Sequence, residues 1–403
     1  MAGCNNDSGT SPVETVSPVP TVSSSVPVET TPEPVVQESA VLPGVTVIPP
    51  SAVPESAPEP PEEPQMPEKQ VITFLAVGDN ILHNTVLDSG RKSDGSYDYR
   101  EFYEDISRVI SAADLAAVNQ ECPLVYDPSL YSTYPEFGCP TAIANALVDA
   151  GFDIVTMATN HVCDKGDTGI LNSVDYFRTN HPDTTLLGIR DVESSPITYV
   201  EKSGIKIAML NYTYGYNGYG PGKSWMADVL GDEAAIAGCM AEAESNADCT
   251  IVFLHAGTEY SHTPDDYQRR WFGFFADNGA DAIIGTHPHV LQPMETITAA
   301  DGQTVPVWWS LGNFLSHQMD AARWLGGMAS FDIVLQNGQV TIESPQLIPT
   351  FTYIYYEGAR CCFRSILLED MTDEMADNSY YKSYYGNVDA LWDMYNGIIE
   401  NKN

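Results

Sequence analysis

The sequence contains few basic residues. Its 403 residues include 18 lysines and arginines against 55 aspartates and glutamates, which gives a formal net charge of −37 at pH 7. A surface of that sign repels phosphate backbones, so the composition argues against nucleic acid or another anionic polymer bound at the general surface. It leaves open an anionic substrate that metal ions hold in a local cleft.

The sequence also lacks long apolar runs and closely paired cysteines. No stretch approaches the ~20 uninterrupted apolar residues of a membrane-spanning helix. The eight cysteines include no C-x-x-C pair, the spacing typical of a structural zinc site. Cys122 and Cys139 flank a loop and could form a disulfide in an exported protein. The seven cysteines beyond Cys4 are odd in number, so they cannot all pair internally.

Residues 1–69 contain no aromatic residue but hold 15 of the 28 prolines. Such a composition buries too little apolar surface to offset the entropy of ordering, which predicts a disordered tether. The first residues, Met1 to Cys4, resemble the end of a bacterial lipoprotein signal, in which Cys4 would carry the lipid. The alternative is an ordinary exposed cysteine. We therefore expect a folded domain over residues 70–403, outside the cytoplasm and anchored to the bacterial cell membrane through a lipid on the tether.

Apolar runs alternate with helical patterns through the rest of the chain. The main strand candidates are residues 71–77, 114–118, 152–158, 205–210, 250–254, 281–284, 305–310, 328–335 and 339–343. The helix candidates are residues 102–113, 141–150, 166–179, 232–246, 265–278 and 373–400. This alternation predicts an α/β fold with a mostly parallel core. In such sheets the ligand site lies beyond the carboxyl ends of the strands.

The predicted strand ends carry carboxylate, amide and imidazole side chains. They are Asp79, Glu121, Asn160, His161, His255, His287 and His289. Each has a simpler explanation when it is taken alone: Asp79 could cap a turn, and His161 or His255 could be a hydrogen-bonded core histidine. His287 and His289 could be loop residues without a partner. Because five separate strand ends all deliver donors that suit Zn, Mn or Fe, we predict a metal centre.

The order of these motifs resembles the capsule-synthesis protein A family of poly-γ-glutamate biosynthesis, a branch of the calcineurin-like metallophosphoesterase superfamily. The resemblance covers residues 71–345. The matching motifs are G-D (78–79), N-x-E (119–121), N-H-x-x-D (160–164), H-x-G-x-E-Y (255–260), G-x-H-P-H-V (285–290) and S-L-G-N-F (310–314). It implies a four-layer α/β/β/α sandwich of metallophosphoesterase type, with two divalent metal ions (Mn, Zn or Fe) between the sheets.

The resemblance also implies a role for each site residue. Six residues would bind the metals: Asp79, Glu121, Asn160, His255, His287 and His289. His161 would be the general acid, and Asp164 is assigned with it to catalysis. Four more would orient ligands or substrate: Asn119, Glu259, Asn313 and His83. The sequence departs from the superfamily at Ile81, which stands where its first motif has a metal-binding histidine. His83 could take that place, although on a continuing strand it would lie further away.

The function implied is that of a cell-envelope protein of poly-γ-glutamate capsule synthesis or export, with a metal-dependent site that hydrolyses a phosphate ester. Its expected partners are an anionic polymer or phosphate-ester substrate and membrane proteins of capsule synthesis. Two alternatives stay open. One is a general extracytoplasmic metallophosphoesterase unrelated to capsule, and the other is a non-catalytic, polymer-binding assembly subunit.

Overall fold

The computed structural model describes residues 69–400, and strands and helices are numbered here in chain order. The predicted tether, apart from Lys69, and the predicted lipid attachment at Cys4 lie outside the described residues. Within residues 69–400 the chain forms two large β-sheets and a short parallel pair, β3 (Leu124–Val125) with β4 (Cys139–Pro140).

The first sheet combines a parallel half with an antiparallel half. Its strands are β1 (Gln70–Asn80), β2 (Leu115–Gln120), β5 (Ile154–Thr156), β6 (Thr185–Leu187), β13 (Asn313–Leu315), β14 (Leu325–Gln336), β15 (Gln339–Glu357) and β16 (Arg360–Leu367). They lie in the order β16-β15-β14-β1-β2-β5-β6, and β13 pairs with the end of β1. The strands β1, β2, β5 and β6 are parallel, whereas β14, β15 and β16 are antiparallel.

The second sheet has a parallel centre with antiparallel edges. Its strands are β7 (Thr198–Lys202), β8 (Ile205–Thr213), β9 (Cys249–His255), β10 (Ala282–Thr286), β11 (Met294–Thr298) and β12 (Thr304–Trp308). They lie in the order β11-β12-β10-β9-β8-β7. The four inner strands are parallel to one another, and β7 and β11 are antiparallel to their neighbours. The predicted parallel core is therefore present in both sheets.

Alternate residues of the strands face two different cores. In β1, Phe74 belongs to a cluster shared with Met209 of β8, whereas the next residue, Leu75, packs with the helices. In β8, Leu210 packs on the opposite side from Met209. Because side chains alternate across a strand, this pattern puts the two sheets face to face with one apolar core between them.

Helices cover the outer face of each sheet. Their bounds are α1 (Asn84–Ser89), α2 (Glu104–Ile110), α3 (Ala142–Ala150), α4 (Gly166–Asn180), α5 (Glu233–Asn246), α6 (Asp266–Asp277), α7 (Asp373–Asn378), α8 (Lys382–Tyr385) and α9 (Val388–Glu400). Helices α5 and α6 pack on the second sheet and the others on the first. The predicted four-layer α/β/β/α sandwich is confirmed.

Two element predictions were wrong in extent. The predicted strand 339–343 continues to Glu357 and is followed by β16, so the first sheet is wider than the sequence indicated. The predicted single helix over 373–400 is three helices, with breaks at Ser379 and at Gly386, where φ is 83°.

The cysteines of the described chain are free thiols. Cys122 and Cys139 are both buried and unbridged, although they lie close enough for their thiols to interact. Within residues 69–400, none of the helices is both long and apolar enough to cross a membrane.

Candidate metal centre

The carboxyl ends of strands from both sheets meet at one edge of the sandwich. Asp79 is the next-to-last residue of β1, and Glu121 directly follows β2. From the second sheet, His255 ends β9 and His287 directly follows β10. All four side chains are buried. Parallel strands place their carboxyl ends at a common edge, so strand direction alone brings these donors to one side of each sheet.

Asp79 is held in place by neighbours from two other elements. Its Oδ1 accepts a hydrogen bond of 2.7 Å from Asn119 Nδ2, and Asn119 Oδ1 in turn accepts one of 2.9 Å from Thr156. Its Oδ2 accepts one of 3.2 Å from the backbone N–H of His287 and lies 3.1 Å from His289 Nδ1. Asn119 is therefore in direct contact with Asp79, and its orienting role stays a prediction.

Glu121 has a buried carboxylate without a hydrogen-bond donor. It is 1% exposed, and neither Oε1 nor Oε2 has a hydrogen-bond partner. Three imidazole Nε2 atoms surround Oε1, at 3.6 Å (His289), 3.8 Å (His255) and 3.9 Å (His161). Burial raises the pKa of Glu121 well above its usual range, an effect that His289 opposes. Such a group is costly unless a cation pairs with it.

The three histidines of the second sheet differ in their surroundings. His255 Nδ1 lies 2.9 Å from Thr286 Oγ1, and its Nε2 lies 2.8 Å from Asn160 Oδ1. His287 Nδ1 is buried and has no hydrogen-bond partner. Burial and neighbouring imidazoles lower the pKa of both His255 and His287 well below the ordinary value. Both are therefore neutral, which is the form that binds a metal ion.

His289 is the exception among them. Its Nδ1 lies 3.0 Å from Asn313 Oδ1 as well as close to Asp79. Burial lowers the pKa of His289, but the carboxylates of Glu121 and Asp79 outweigh burial and raise it to about 9. A cation at this place would have to displace the proton from His289, so binding would release a proton.

The turn that carries the last two histidines is strained. His287 has φ of 95° and His289 has φ of 58°, a region that non-glycine residues rarely adopt. Gly285 precedes them where an added Cβ would lie 2.1 Å from the backbone oxygen of Trp309. Strained backbone of this kind concentrates at functional sites. Here it places two imidazoles of one three-residue turn at the candidate site.

The donor atoms fall into overlapping groups, in each of which they lie within 4.8 Å of one another. One group is Asp79, Glu121 and His289, and a second is Glu121, His255 and His287. Glu121 is common to both. The unpaired Glu121 carboxylate and the unpaired His287 Nδ1 are atoms that a cation would satisfy. The residues therefore fit two divalent ions that share one carboxylate.

His161 lies beside this centre and has a fixed orientation. Its Nδ1 is 2.6 Å from Asp164 Oδ2, which also accepts a hydrogen bond of 2.7 Å from the backbone N–H of Phe137. The carboxylate favours the tautomer with a proton on Nδ1, which leaves Nε2 directed to the side of Glu121. A cavity of about 440 Å³ opens here, lined among others by His161 and His289.

The remaining predicted site residues have separate positions. Asn313 contacts His289 and donates from Nδ2 to Gln318 and to the backbone oxygen of Arg323. Glu259 is exposed and forms a third donor group with His287 and His289. His83 lies on the cavity wall beyond the end of β1, and it is in none of the donor groups found within residues 69–400. Burial, with nearby imidazoles, lowers the pKa of His83 to about 3.

Two residues of the site could not be identified from the sequence. Asn217 lies with its Nδ2 3.3 Å from Nδ1 and 3.4 Å from Nε2 of His161, and its backbone N–H donates to the oxygen of Asn160 at 2.8 Å. The ring of Tyr214 lies 4.6 Å from that of His287. Both belong to the Tyr- and Gly-rich segment after β8. The composition of this segment is typical of a loop but does not show which of its side chains reach the site.

Comparison with known proteins gives the same family as the motifs. Residues 73–318 match the family model described as bacterial capsule synthesis protein PGA_cap. The chain is 30% identical over 221 residues to the PGA biosynthesis protein CapA of Bacillus subtilis, which covers 54% of this chain and 57% of that protein. It is 27% identical over 289 residues to the capsule biosynthesis protein CapA of Bacillus anthracis, covering 69% of this chain and 68% of that one. The chain thus matches little more than half the length of the first of these relatives.

Solved structures resemble the chain only distantly. A calcineurin-like phosphoesterase of Bacillus subtilis is 12% identical with a TM-score of 0.38, covering 81% of this chain and 100% of that one. A phosphatase of Mycoplasma pneumoniae is 14% identical with a TM-score of 0.45, covering 70% and 94%. These values are too low to bear on the chemistry of the site, which depends on the geometry described above.

Proposed function

The chain belongs to the PGA_cap family of bacterial capsule synthesis proteins, and from this premise we propose that it acts in poly-γ-glutamate capsule synthesis or export as a metal-dependent phosphoesterase. The phosphoesterase part of this proposal rests on one observation, the carboxylate of Glu121. It is buried, has no hydrogen-bond partner and lies among three imidazoles. A single carboxylate shared by two donor groups is an arrangement that suits a pair of divalent cations.

Six side chains would hold the cations: Asp79, Glu121, Asn160, His255, His287 and His289. When bound, the cations supply positive charge to the phosphate oxygens and lower the pKa of a water to about 7. The protein's own groups perform the rest. Asn119 and Asn313 orient Asp79 and His289 through the hydrogen bonds described above. Side chains with fixed partners need little reorganisation when a ligand arrives.

His161 would act as the general acid. As the water oxygen bonds to phosphorus and the bond to the leaving oxygen breaks, protonated His161 transfers a proton from Nε2 to that oxygen. Asp164 stabilises the imidazolium, and the 2.6 Å hydrogen bond between His161 Nδ1 and Asp164 Oδ2 fixes the orientation of the ring. The Asn217 amide lies next to the same ring and faces the cavity, where it can bind a substrate oxygen.

Metal analysis with an activity assay tests the catalytic half. The purified full chain should contain divalent metal and hydrolyse bis(p-nitrophenyl) phosphate, with turnover that rises on addition of Mn²⁺. Replacing His287 by alanine should remove metal and turnover together. Wild-type protein without metal, or turnover indifferent to Mn²⁺ and to the His287 variant, would refute the metal-dependent mechanism.

Gene deletion tests the proposed role in capsule synthesis or export. Deletion should abolish secreted polymer, and the wild-type gene should restore it. Complementation with the His161→Asn variant then separates the two roles. Restored polymer would indicate a non-catalytic assembly subunit, and no restoration would support catalysis. Polymer that persists after deletion would instead favour a general metallophosphoesterase unrelated to capsule.

We further propose an extracytoplasmic location and a lipid anchor at Cys4, close to membrane partners in capsule synthesis. The Ala2-Gly3-Cys4 sequence and the proline-rich residues 1–69 support this proposal. Metabolic labelling with a radioactive fatty acid should mark the wild-type protein in its host and not a Cys4→Ser variant. Equal labelling of both would reject the anchor.

A further inference from the structure

The first donor group is incomplete as a metal site. Asp79, Glu121 and His289 offer one carboxylate, a second, shared carboxylate and one imidazole. Ions that suit such donors take four to six ligands. This group borders the cavity, whose lining includes Ile81, which has no donor atom, and polar side chains such as Glu259 and Gln318. A cation held by these three donors would therefore need a further ligand from its cavity side.

Glu259 is the carboxylate placed to reach that side. It lines the same cavity as Ile81 and His289, and its oxygen lies within 4.8 Å of donor atoms of both His287 and His289. His287 Nδ1, one of the atoms available to this group, is a buried nitrogen without a partner. Glu259 is exposed, but these distances to two buried imidazoles distinguish it from other exposed acidic residues.

The backbone beside Glu259 is fixed to the histidine turn. The N–H of Tyr260 donates to the oxygen of Pro288 at 2.8 Å, so the two segments cannot separate. Tyr260 has φ of 65°, and the guanidinium of Arg323 lies 3.7 Å from the centre of its ring. Backbone strain held by such contacts is common where a side chain must point in one direction.

The charges of the site also favour a bound cation at Glu259. Among the described residues, no lysine or arginine lines the cavity that Glu259 borders. Two divalent ions carry four positive charges, of which Asp79 and Glu121 neutralise two. Glu259 and one deprotonated water would neutralise the remainder, so the buried centre would carry no net charge.

We propose that Glu259 is a metal ligand, which together with His289 closes the cation pair on its cavity side, where Ile81 offers no donor. This inference rests on the metal centre of the proposed function and goes beyond it. It replaces the expectation that Glu259 only orients substrate. A substrate-orienting group would change KM and leave metal binding intact, whereas a ligand changes metal binding in the absence of any substrate.

Titration of metal-stripped full chain with Mn²⁺ tests the proposal, with free Mn²⁺ followed by electron paramagnetic resonance. Wild-type protein should bind two equivalents. The Glu259→Gln variant should keep one and bind the other on the order of 100-fold more weakly, since even partners outside the coordination sphere cost 10–100-fold. The matched control is Glu242→Gln, which removes one exposed carboxylate from helix α5 and should bind as wild type.

Cobalt substitution provides a second measurement. Because Co²⁺ absorption depends on the number and geometry of ligands, Glu259→Gln should change the visible spectrum and Glu242→Gln should not. Two wild-type Mn²⁺ equivalents and an unchanged Co²⁺ spectrum in Glu259→Gln would overturn this inference and leave the proposed function intact. Wild-type protein that binds two equivalents but hydrolyses no phosphate ester would reject the proposed activity and leave the ligand role of Glu259 standing.

Discussion

At the scale of single residues, His161 and Asp164 form the unit whose function is most sharply defined by contacts. Asp164 accepts from Phe137 and binds His161 Nδ1, so the position of the imidazole depends on a carboxylate that is itself held. Neither residue belongs to a donor group found within residues 69–400. Proton transfer and metal binding should therefore be separable by mutation.

We predict that His161→Asn lowers kcat by about 10²–10⁴-fold, the usual contribution of a general acid. Bound metal should stay at the wild-type level because His161 lies outside the donor groups. Steady-state kinetics and metal analysis of the same preparation check both statements. The control is His181→Asn. His181 lies at the end of α4, outside the donor groups of residues 69–400, and its Nε2 is hydrogen-bonded to Asn145. If metal content falls in parallel with kcat, His161 is a ligand or a structural residue instead.

At the scale of elements, close backbone approach fixes the end of β1. A Cβ on Gly78 would lie 1.9 Å from the oxygen of Gly312, the same oxygen that accepts the N–H of Asp79 at 2.9 Å. The position of Asp79 thus depends on a contact that only glycine permits.

Gly78→Ala should therefore weaken Mn²⁺ binding and lower the free energy of unfolding by roughly 1–3 kcal/mol, the usual cost of overpacking. Chemical denaturation and Mn²⁺ titration are the measurements. Gly238 on the exposed side of α5 has no atom near its missing Cβ, so Gly238→Ala should be neutral or stabilise by about 0.5–1 kcal/mol. Equal effects of the two alanines would contradict the packing argument.

A buried ion pair joins segments that follow strands of different sheets. Arg190 lies after β6 of the first sheet, and Asp228 lies in the segment between β8 and α5 of the second. The two side chains are hydrogen-bonded and 12% and 10% exposed. Burial raises the pKa of Asp228 to about 6, although Arg190 opposes the shift.

We predict that Arg190→Ala destabilises the protein by about 3–5 kcal/mol, because it leaves a buried carboxylate unpaired. The loss should be larger at pH 8 than at pH 5. Loss of Arg190 raises the pKa of Asp228 further, so the native state binds more protons and its stability falls as pH rises. Urea unfolding at both pH values measures this. Arg178→Ala, which removes an exposed ion pair with Asp191, should cost far less stability than Arg190→Ala. If Arg190→Ala lost more stability at pH 5 than at pH 8, the predicted direction of the pH dependence would be wrong.

At the scale of the whole molecule, the candidate metal centre lies where the two sheets meet, so a bound cation should stabilise the entire sandwich. Without a cation the Glu121 carboxylate is buried and unpaired. Ligand that binds only the folded chain stabilises it by about 2.7 kcal/mol at a concentration 100 times Kd.

Removal of metal by a chelator should therefore lower Tm by roughly 4–8 °C, and added Mn²⁺ should restore it. Differential scanning calorimetry of the full chain is the measurement. The His287→Ala variant serves as the control, since a chelator should shift its Tm much less. An unchanged Tm after complete removal of metal from wild-type protein would argue that the centre does not contribute to folding stability.

Some local patterns were informative and others misleading. The strand β15 was predicted only to residue 343, yet it continues past Ser344, where φ is 53°, and through Pro345 and Pro349. Prolines argue against a strand interior. In the fold, a register irregularity between Ser330 and Asp332 accommodates this segment. Pairing with β14 and β16 overrides the local preference of the prolines against a strand. A short window of sequence holds no information about this pairing, because the partner strands lie elsewhere in the chain.

The sequence by itself determined the order of the candidate donors, because apolar runs followed by Asp79, Glu121, Asn160, His255 and His287 mark strand ends. It also indicated the four-layer class through its motifs. Only the tertiary structure decided which candidate donors lie within 4.8 Å of one another, that His83 lies outside the donor groups of residues 69–400, and that Asn217 reaches His161. The physical reason is that these distances depend on how two sheets pack across their common core, and side chains up to 210 residues apart meet there.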